Sequence, residues 1–380
     1  MKKGIVDLIT YHRAYNYGAI LQTYASIKFF EKLGYKVIVI DYVPNYLQSF
    51  GTIKNTFNQV DNRNKSLIKR IIYALIKTPS YKRLKRVFTY FINKNFNLTL
   101  YYSSIDNLIN NKPIANLYCS GSDQIWNNYY SGEFDKAFFL DFTDDKDKCI
   151  SLASSFGKND FNKIEKEYLK KSLNKYSLLS VREKDGKEII NEIGFNNCME
   201  LFDPTLLINE DIWNKFAKGK MYKFKYILVY QLHGDSDAYD KAIQFAKIKG
   251  LKVLRIITMY HQIRINYNCK NIVIPTIQEF VNLFKNSEYV FTDSFHGTAF
   301  SIIFKKKLGV RLPKRFGNRI TSLLNSIEAS DIIIDNVKRW NQIVNDKYME
   351  RANYNMIKIR DKMIKEYKIR IDKIEEKGEN

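Results

Sequence analysis

The sequence predicts an α/β protein built from two Rossmann-like domains that face a cleft. The chain has 380 residues, too many for one ordinary core. Short β-branched runs alternate with helical patterns, the βαβ rhythm that implies right-handed crossovers and parallel sheets. That rhythm runs twice, on either side of a break near Asn209–Tyr222. The expected organisation is an N-terminal domain over 1–208 with a basic helical insertion at about 55–100, a C-terminal domain over 209–340, and a helical segment over 341–380.

Ile5–Ile9 reads as the first strand, Ile20–Leu33 as an amphipathic helix stopped by Gly34, and Val37–Ile40 as the next strand, ending at Asp41. Further strands are expected at Leu117–Cys119, Ile150–Ala153 and Leu178–Val181, with a helix over Phe161–Leu173. In the second half, Tyr226–Tyr230, Val253–Ile257, Ile272–Ile274 and Tyr289–Thr292 read as strands. Ala238–Lys249, Thr276–Asn286 and Gly297–Phe304 read as the helices between and after them. From Tyr348 to Lys377, Met356, Ile359, Met363, Tyr367, Ile371 and Ile374 recur three or four apart, the stripe of a long amphipathic helix.

The composition is 45% hydrophobic and 14% aromatic, ample for packed interiors and contrary to disorder. No apolar run reaches the roughly 18 residues needed to span a bilayer. Asp7 and His12-Arg13 interrupt any signal-peptide core. Cys119, Cys149, Cys198 and Cys269 are scattered, with no Cys-x-x-Cys pair, so reduced thiols in a cytoplasmic protein are expected rather than a metal or disulfide framework. The net charge of +22 favours anionic partners. Part of it is concentrated: Arg63, Lys65, Lys69, Arg70, Lys77, Lys82, Arg83, Lys85, Arg86 and Lys94 fall in a stretch free of acids, with Leu67, Ile68, Ile71, Ile72, Leu75 and Ile76 at helical spacing. Two readings stand level, a helix peripheral on an anionic membrane surface and a solvated helix over the first domain.

In open parallel sheets, ligands bind beyond the carboxyl ends of the strands. Three loops sit there. After the first strand, Asn16 and Gly18 permit a turn whose N–H groups face a ligand, with His12 beside them. The loop lacks Gly-x-Gly-x-x-Gly, which argues against a dinucleotide cofactor. After Leu117–Cys119 come Gly121, Ser122, Asp123, Gln124 and Trp126, a density of hydrogen-bonding groups with an aromatic plane that suits a hydroxyl-rich or phosphorylated ligand. After Tyr289–Thr292 come Asp293, Ser294, Phe295, His296, Gly297 and Thr298. This puts His296 at a helix N-terminus, where free N–H groups favour an anion and an imidazole can move protons near neutrality. Arg182, just after a strand, offers a planar fork for carboxylate or phosphate. Arg311, Arg315 and Arg319 follow the last βα unit and either line the cleft or form basic surface.

Taken together, these segments resemble the polysaccharide pyruvyl transferase family. The resemblance rests on Thr10-x-His12-x-x-x-Asn16-Tyr17-Gly18-Ala19-x-Leu21-Gln22, Gly121-Ser122-Asp123-Gln124-x-Trp126-Asn127, Ser180-Val181-Arg182-Glu183, Phe202-Asp203-Pro204-Thr205-Leu206-Leu207 and Thr292-Asp293-Ser294-Phe295-His296-Gly297, in this order over about the first 330 residues. Phe202 stands where Leu is common in the family, and Phe295 precedes His296 where some relatives carry Arg-Leu-His.

The resemblance implies a glycosyltransferase-B-like fold and transfer of pyruvate from phosphoenolpyruvate onto two sugar hydroxyls as a cyclic ketal. It maps the family histidine to His296 and a donor-binding arginine to Arg182. With Phe295 before the histidine, the donor arginine has to be Arg182 or Arg311. Asp123 or Asp293 would orient the histidine or accept a hydroxyl proton. Phosphoenolpyruvate would be a co-substrate, with no cofactor or metal, and the acceptor sugar would be nucleotide- or polyprenyl-diphosphate-linked. The rivals are a nucleotide-sugar glycosyltransferase of the same architecture and a basic nucleic-acid binder, against which stands the lack of a reader motif.

Overall fold

The computed structural model describes residues 3–48, 67–128, 132–158, 160–234, 236–313 and 317–378. The chain divides into two units, the first from 1–48, 92–208 and 359–380 and the second from 49–91 and 209–358. The basic segment expected as an insertion in the first domain therefore groups mainly with the second unit. Arg63, Lys65 and Arg315 lie outside the described residues.

The first unit holds β1 (Lys3–Ile9), β2 (Tyr35–Tyr42), β3 (Leu98–Tyr102), β4 (Leu117–Ser120) and β5 (Cys149–Ser151) in the order β3-β2-β1-β4-β5. All pairs are parallel, with Val6 opposite Val37 on one side and Leu117 on the other. A short parallel pair, β6 (Ser180–Val181) and β7 (Met199–Glu200), is bridged to the β5 edge by Ile150–Leu178 and Ser154–Val181. The helix Tyr17–Lys32 crosses from β1 to β2. It starts where the Asn16 side chain accepts from the Ala19 N–H at 2.8 Å, which satisfies one of the orphan donors of its first turn.

The second unit repeats the plan with β8 (Tyr226–Tyr230), β9 (Lys252–Ile257), β10 (Cys269–Val273), β11 (Tyr289–Thr292) and β12 (Lys307–Val310), in the order β10-β9-β8-β11-β12 and again all parallel. The central strand β8 is buried at every position, as expected of a sheet covered on both faces. The helices Ala238–Lys249, Ile277–Lys285 and Phe295–Ile303 follow strands β8, β10 and β11.

Two long helices complete the fold. Leu67–Asn95 continues through Pro79, where the missing backbone donor is accompanied by a Thr78 Oγ1 bond to the Ala74 carbonyl and a Ser80 Oγ that accepts from the Tyr260 N–H. Asp346–Gly378 carries Tyr367, fully buried against Phe29 and Phe30, into the first unit, and its hydroxyl donates to the Ser151 carbonyl at 3.1 Å. Lys3 pairs with Asp372 and Glu375 of the same helix. Among the described residues no helix is long and apolar enough to cross a membrane. All four cysteines are free and buried.

One buried group is anomalous. Asp7, in the middle of β1, is fully buried, and neither carboxyl oxygen has a hydrogen-bond partner among the described residues. Burial pushes its pKa up to about 7. The folded state therefore holds this proton more tightly than the unfolded chain. The cost of ionising the group is absent below about pH 4 and complete above about pH 7. Asp7→Asn should raise the unfolding free energy at pH 8 by a few kcal/mol (about 1.4 per pKa unit) and much less at pH 4. Denaturant titrations at the two pH values check this, and an equal gain at both would contradict it.

Candidate functional site

Each unit gathers a polar cluster at the carboxyl edge of its sheet. On the first unit the loop after β4 turns at Gly121, whose N–H donates to the Ile9 carbonyl at 2.9 Å. A Cβ at Gly121 would stand 2.9 Å from both Leu8 Cδ1 and Thr10 Cβ, so only glycine allows this approach. Thr10 Oγ1 donates to the Ser122 carbonyl at 2.8 Å and accepts from Gln22 Nε2 at 2.9 Å, which ties the β1 and β4 loops together. Asp123 adopts a left-handed φ of 77°, a strained choice for a side chain with a Cβ, and its carboxylate accepts from the Gln124 N–H.

Arg182 is buried behind this loop. Its Nε donates to Glu183 at 2.8 Å and its Nη1 to Asp203 at 3.0 Å. Ser122 Oγ also reaches Asp203, at 3.4 Å, and Ser155 Oγ reaches Glu183 at 3.0 Å. The other oxygen of Asp203 caps the short helix Pro204–Leu207 through the Thr205 N–H and hydroxyl. Burial works against the guanidinium charge, but Glu183, Asp203 and Asp123 overcome it and hold the pKa above the usual arginine value. Three sequence motifs, around Gly121, Arg182 and Asp203, thus meet in one network.

His12 is fully buried at the end of the β1 loop, with Nε2 at 2.9 Å from Asp41 and Nδ1 at 3.1 Å from the Thr10 carbonyl. Arg13 grips the same Asp41 through Nε and Nη2, at 2.6 and 2.7 Å. Burial opposes the Asp41 charge, but Arg13 and His12 outweigh it and hold its pKa at about 2. Asn16 and Gly18 begin the adjoining helix, and Gln124 is buried.

Trp126 corrects the expectation of an aromatic plane for a ligand. It has no exposed surface, stacks on Phe139 at 5.6 Å, and donates its indole N–H to the Phe138 carbonyl. It is a core residue.

On the second unit the segment after β11 is held by its own side chains. Thr292 Oγ1 donates to the Tyr230 carbonyl at 2.5 Å and accepts from the Ser294 N–H at 3.1 Å. Ser294 caps the helix Phe295–Ile303 by accepting from the Gly297 N–H, and Thr298 Oγ1 returns a bond to the Ser294 carbonyl. His296 is thereby the second residue of a nine-residue helix, mostly buried, with its ring edge-on to Phe295 at 5.3 Å. The helix dipole places positive potential there. A Cβ at Gly297 would lie 2.4 Å from Thr292 Oγ1, so this helix start packs onto its strand only with glycine.

Asp293 does something the sequence did not show. Its two oxygens accept from the N–H groups of Leu232 and His233, at 2.7 and 2.9 Å, and fasten the loop after β8. The His233 ring nitrogen Nδ1 lies 3.4 Å from the same carboxylate. Asp123, the other carboxylate considered for orienting His296, belongs to the first unit. Arg311 is tied to Asp237 and to the Ile334 carbonyl, so its fork is occupied by protein groups. The Arg319 guanidinium sits 6.0 Å from the Phe295 ring.

Beside Asp293 lies a pocket that the sequence reading missed, about 270 Å³ and lined by Gln231, His233, Arg255, His261 and Arg264 among others. The available signal was a lone arginine inside the apolar strand Lys252–Ile257. A larger cavity of about 930 Å³ opens on the first unit near Lys175 and Arg370. There Lys175 is paired with Asp141, and Arg370 with Glu366.

Two five-stranded parallel sheets of the same order, with polar loops at their carboxyl edges, define a protein of glycosyltransferase-B-like fold. Solved structures agree. The chain is similar to a UDP-N-acetylglucosamine 2-epimerase from Rickettsia bellii, with 8% identity, 97% of each chain covered and a TM-score of 0.50. It is also similar to an α-glucosyltransferase in complex with UDP and a 13-mer DNA, with 8% identity, 96% of this chain and 100% of that one covered, and a TM-score of 0.51. At such identity these relations show the fold alone. The family model for polysaccharide pyruvyl transferase matches residues 16–308, and the chain belongs to that family. No curated protein matches it in sequence.

Gly297→Ala should lower stability by about 1–3 kcal/mol, the usual cost of forcing a methyl into a filled site. The denaturation midpoint checks it, and an unchanged midpoint would show that the helix start relaxes freely.

Proposed function

We propose that this chain moves pyruvate from phosphoenolpyruvate onto two hydroxyls of a sugar, in a polysaccharide or its carrier-linked precursor, to form a cyclic ketal in cell-surface glycan biosynthesis. The observation that carries the reading is His296 at a capped helix start within the segment matched by the family. An imidazole there combines a titratable group with a positive local potential, which suits proton transfer to a polyanionic donor.

A proton adds to the methylene carbon of phosphoenolpyruvate, and C2 acquires oxocarbenium character. One sugar hydroxyl bonds to C2 and loses its proton, and the C2–O bond to phosphate breaks with its electron pair. The second hydroxyl bonds to the C2 cation left by phosphate departure and gives up its proton to the phosphate, so the products are the pyruvylated sugar and inorganic phosphate. We assign His296 the delivery or relay of the proton. Arg182 is assigned to the donor's negative charge, its own orientation set by Asp203 and Glu183. Asp123 and Asp293 are the carboxylates considered for accepting a hydroxyl proton. The bonds of Asp293 to Leu232 and His233 favour a positioning role for it.

His296→Ala should cut phosphoenolpyruvate-dependent phosphate release in the presence of acceptor by about 100-fold or more, with an unchanged circular dichroism spectrum. Near-normal turnover would remove the assignment. The same assay with nucleotide sugars separates the rival: nucleotide release without phosphate release from phosphoenolpyruvate would turn the reading to glycosyl transfer.

We further propose a cytoplasmic protein that docks peripherally on the inner face of the membrane, where a polyprenyl-linked acceptor would lie. Ile68, Ile71, Ile72, Leu75 and Ile76 are exposed along one face of the helix Leu67–Asn95, and Lys82, Lys85 and Arg86 are exposed further along it. An apolar stripe beside cations suits an anionic lipid surface. Binding to vesicles containing anionic lipid should weaken with salt and in an Ile72→Glu, Leu75→Glu variant. Binding indifferent to lipid charge, salt and these substitutions would leave a solvated helix.

A further inference from the structure

We propose that the pocket at the carboxyl ends of β8 and β9 is a binding site for a phosphoryl or diphosphoryl group, with Arg255 and Arg264 as its cationic walls. All of its lining residues belong to the second unit. Which reactant brings the phosphate rests on the pyruvyl-transfer reading.

Arg255 opens the case. It projects from an otherwise apolar stretch of β9 and is only 7% exposed. Burying a guanidinium is costly unless an anion or a full set of acceptors compensates. Among the described residues only Nη1 donates, to the Gln262 carbonyl at 2.7 Å, and the buried Nε has no hydrogen-bond partner there. No described carboxylate forms an ion pair with it, and Asp240 acts on it only through its field.

Arg264 adds a second positive charge to the same place. The guanidinium of Arg255 lies 5.0 Å and that of Arg264 4.9 Å from the centre of the Tyr239 ring. Arg264 also forms no ion pair with a described carboxylate. Burial, and then the charge of Arg264, push the Arg255 pKa below its usual value, and the opposing field of Asp240 is weaker. A guanidinium does not give up its proton in a protein. The depression reflects first the burial of the charge and then the field of Arg264, and a dianion within reach of both guanidinium groups would offset both.

The surrounding loops are held by bonds from their own side chains to the backbone. Asp293 holds the Leu232 and His233 N–H groups. Gln231 donates to the carbonyls of His233 and Ser236, and its own carbonyl accepts from the Tyr239 N–H. Gln262 Oε1 accepts from the N–H groups of Thr258 and Met259. Loops fixed by side chain to backbone bonds lose little entropy when an anion arrives. His233 and His261 supply further ring nitrogens at the rim. The volume, about 270 Å³, holds a phosphate or diphosphate but falls below the usual size of a site that encloses a whole drug-sized ligand. The rest of the ligand would extend outside.

The pocket also adds to the positive charge of the two arginines expected to hold the donor. Arg182 is held by Asp203 and Glu183, and Arg311 by Asp237, so each would meet a donor with its charge already partly balanced. Arg255 and Arg264, by contrast, form no ion pair among the described residues.

The test is direct binding of inorganic pyrophosphate to the full chain by titration calorimetry. Arg264 is exposed, so Arg264→Gln and Arg264→Glu should fold normally, which an unchanged melting temperature verifies. Arg264→Gln should weaken binding by about tenfold, and Arg264→Glu should abolish it. No saturable binding to the wild type, or equal affinity in all three proteins, would overturn the site. Competition then identifies the source: displacement by phosphoenolpyruvate assigns the pocket to the donor, and displacement by UDP or geranyl diphosphate assigns it to the acceptor's carrier. Displacement by none of the three would overturn a role for the pocket with either reactant. Arg264-dependent binding without ketal formation would sink the pyruvyl-transfer reading and leave the pocket standing.

Discussion

Parallel pairing is the constraint on which the rest of this structure depends. Each of the two five-stranded sheets joins all its strands in one direction, with β1 and β8 as their centres. A parallel neighbour is reached only by a crossover, so helices cover both faces and the strands become apolar throughout. Asp7 in β1 and Arg255 in β9 apart, the polar side chains of the central strands collect where the strands end. The Gly121, Arg182 and His296 segments all occupy such ends.

The two units differ in how their charges are settled. On the first, Arg182, Glu183, Asp203 and Ser122 satisfy one another at 2.8–3.4 Å, and Arg13 and His12 do the same for Asp41. Such networks fix a geometry and resist rearrangement, because breaking one member strands a buried charge. On the second unit, Asp237 pairs with Arg311, but Asp293 serves the backbone by holding two amides of the β8 loop, and Arg255 and Arg264 both lie about 5 Å from the centre of the Tyr239 ring. One edge is electrostatically closed and the other is left with positive potential.

Much of the fold was legible because burial imposes periodicity. Strands Tyr226–Tyr230 and Tyr289–Thr292 and the helix Ala238–Lys249 have the limits that the apolar pattern suggests. The strand Leu98–Tyr102 was hidden inside the expected helical insertion, because it lies at the edge of its sheet, with Leu100 and Tyr101 exposed and little burial pattern to read. The strand Lys307–Val310 is short and contains Gly309, which blunts its signal. Within the sites, the helix start at His296 followed from local sequence. The partner of Asp293 did not, since Leu232 and His233 are about 60 residues away and only tertiary structure brings them near. Arg255 passed as part of a strand, and Trp126 was read as a ligand platform because composition alone does not say which way an indole faces.

The long helix Asp346–Gly378 has a consequence for how the molecule is made. Lys3, on the first strand, finds its carboxylates 369 and 372 residues later, and Tyr367 fills the space beside Phe29 and Phe30. The part of the chain that leaves the ribosome first therefore waits for a part made much later before its packing is complete. In that interval Phe29, Phe30 and the edge near Ser151 are uncovered. Proteins usually form their domains in order of synthesis, but here the second unit can assemble its sheet while the first is still unfinished. A nascent chain halted before Asp346 would hold this apolar surface open to chaperones.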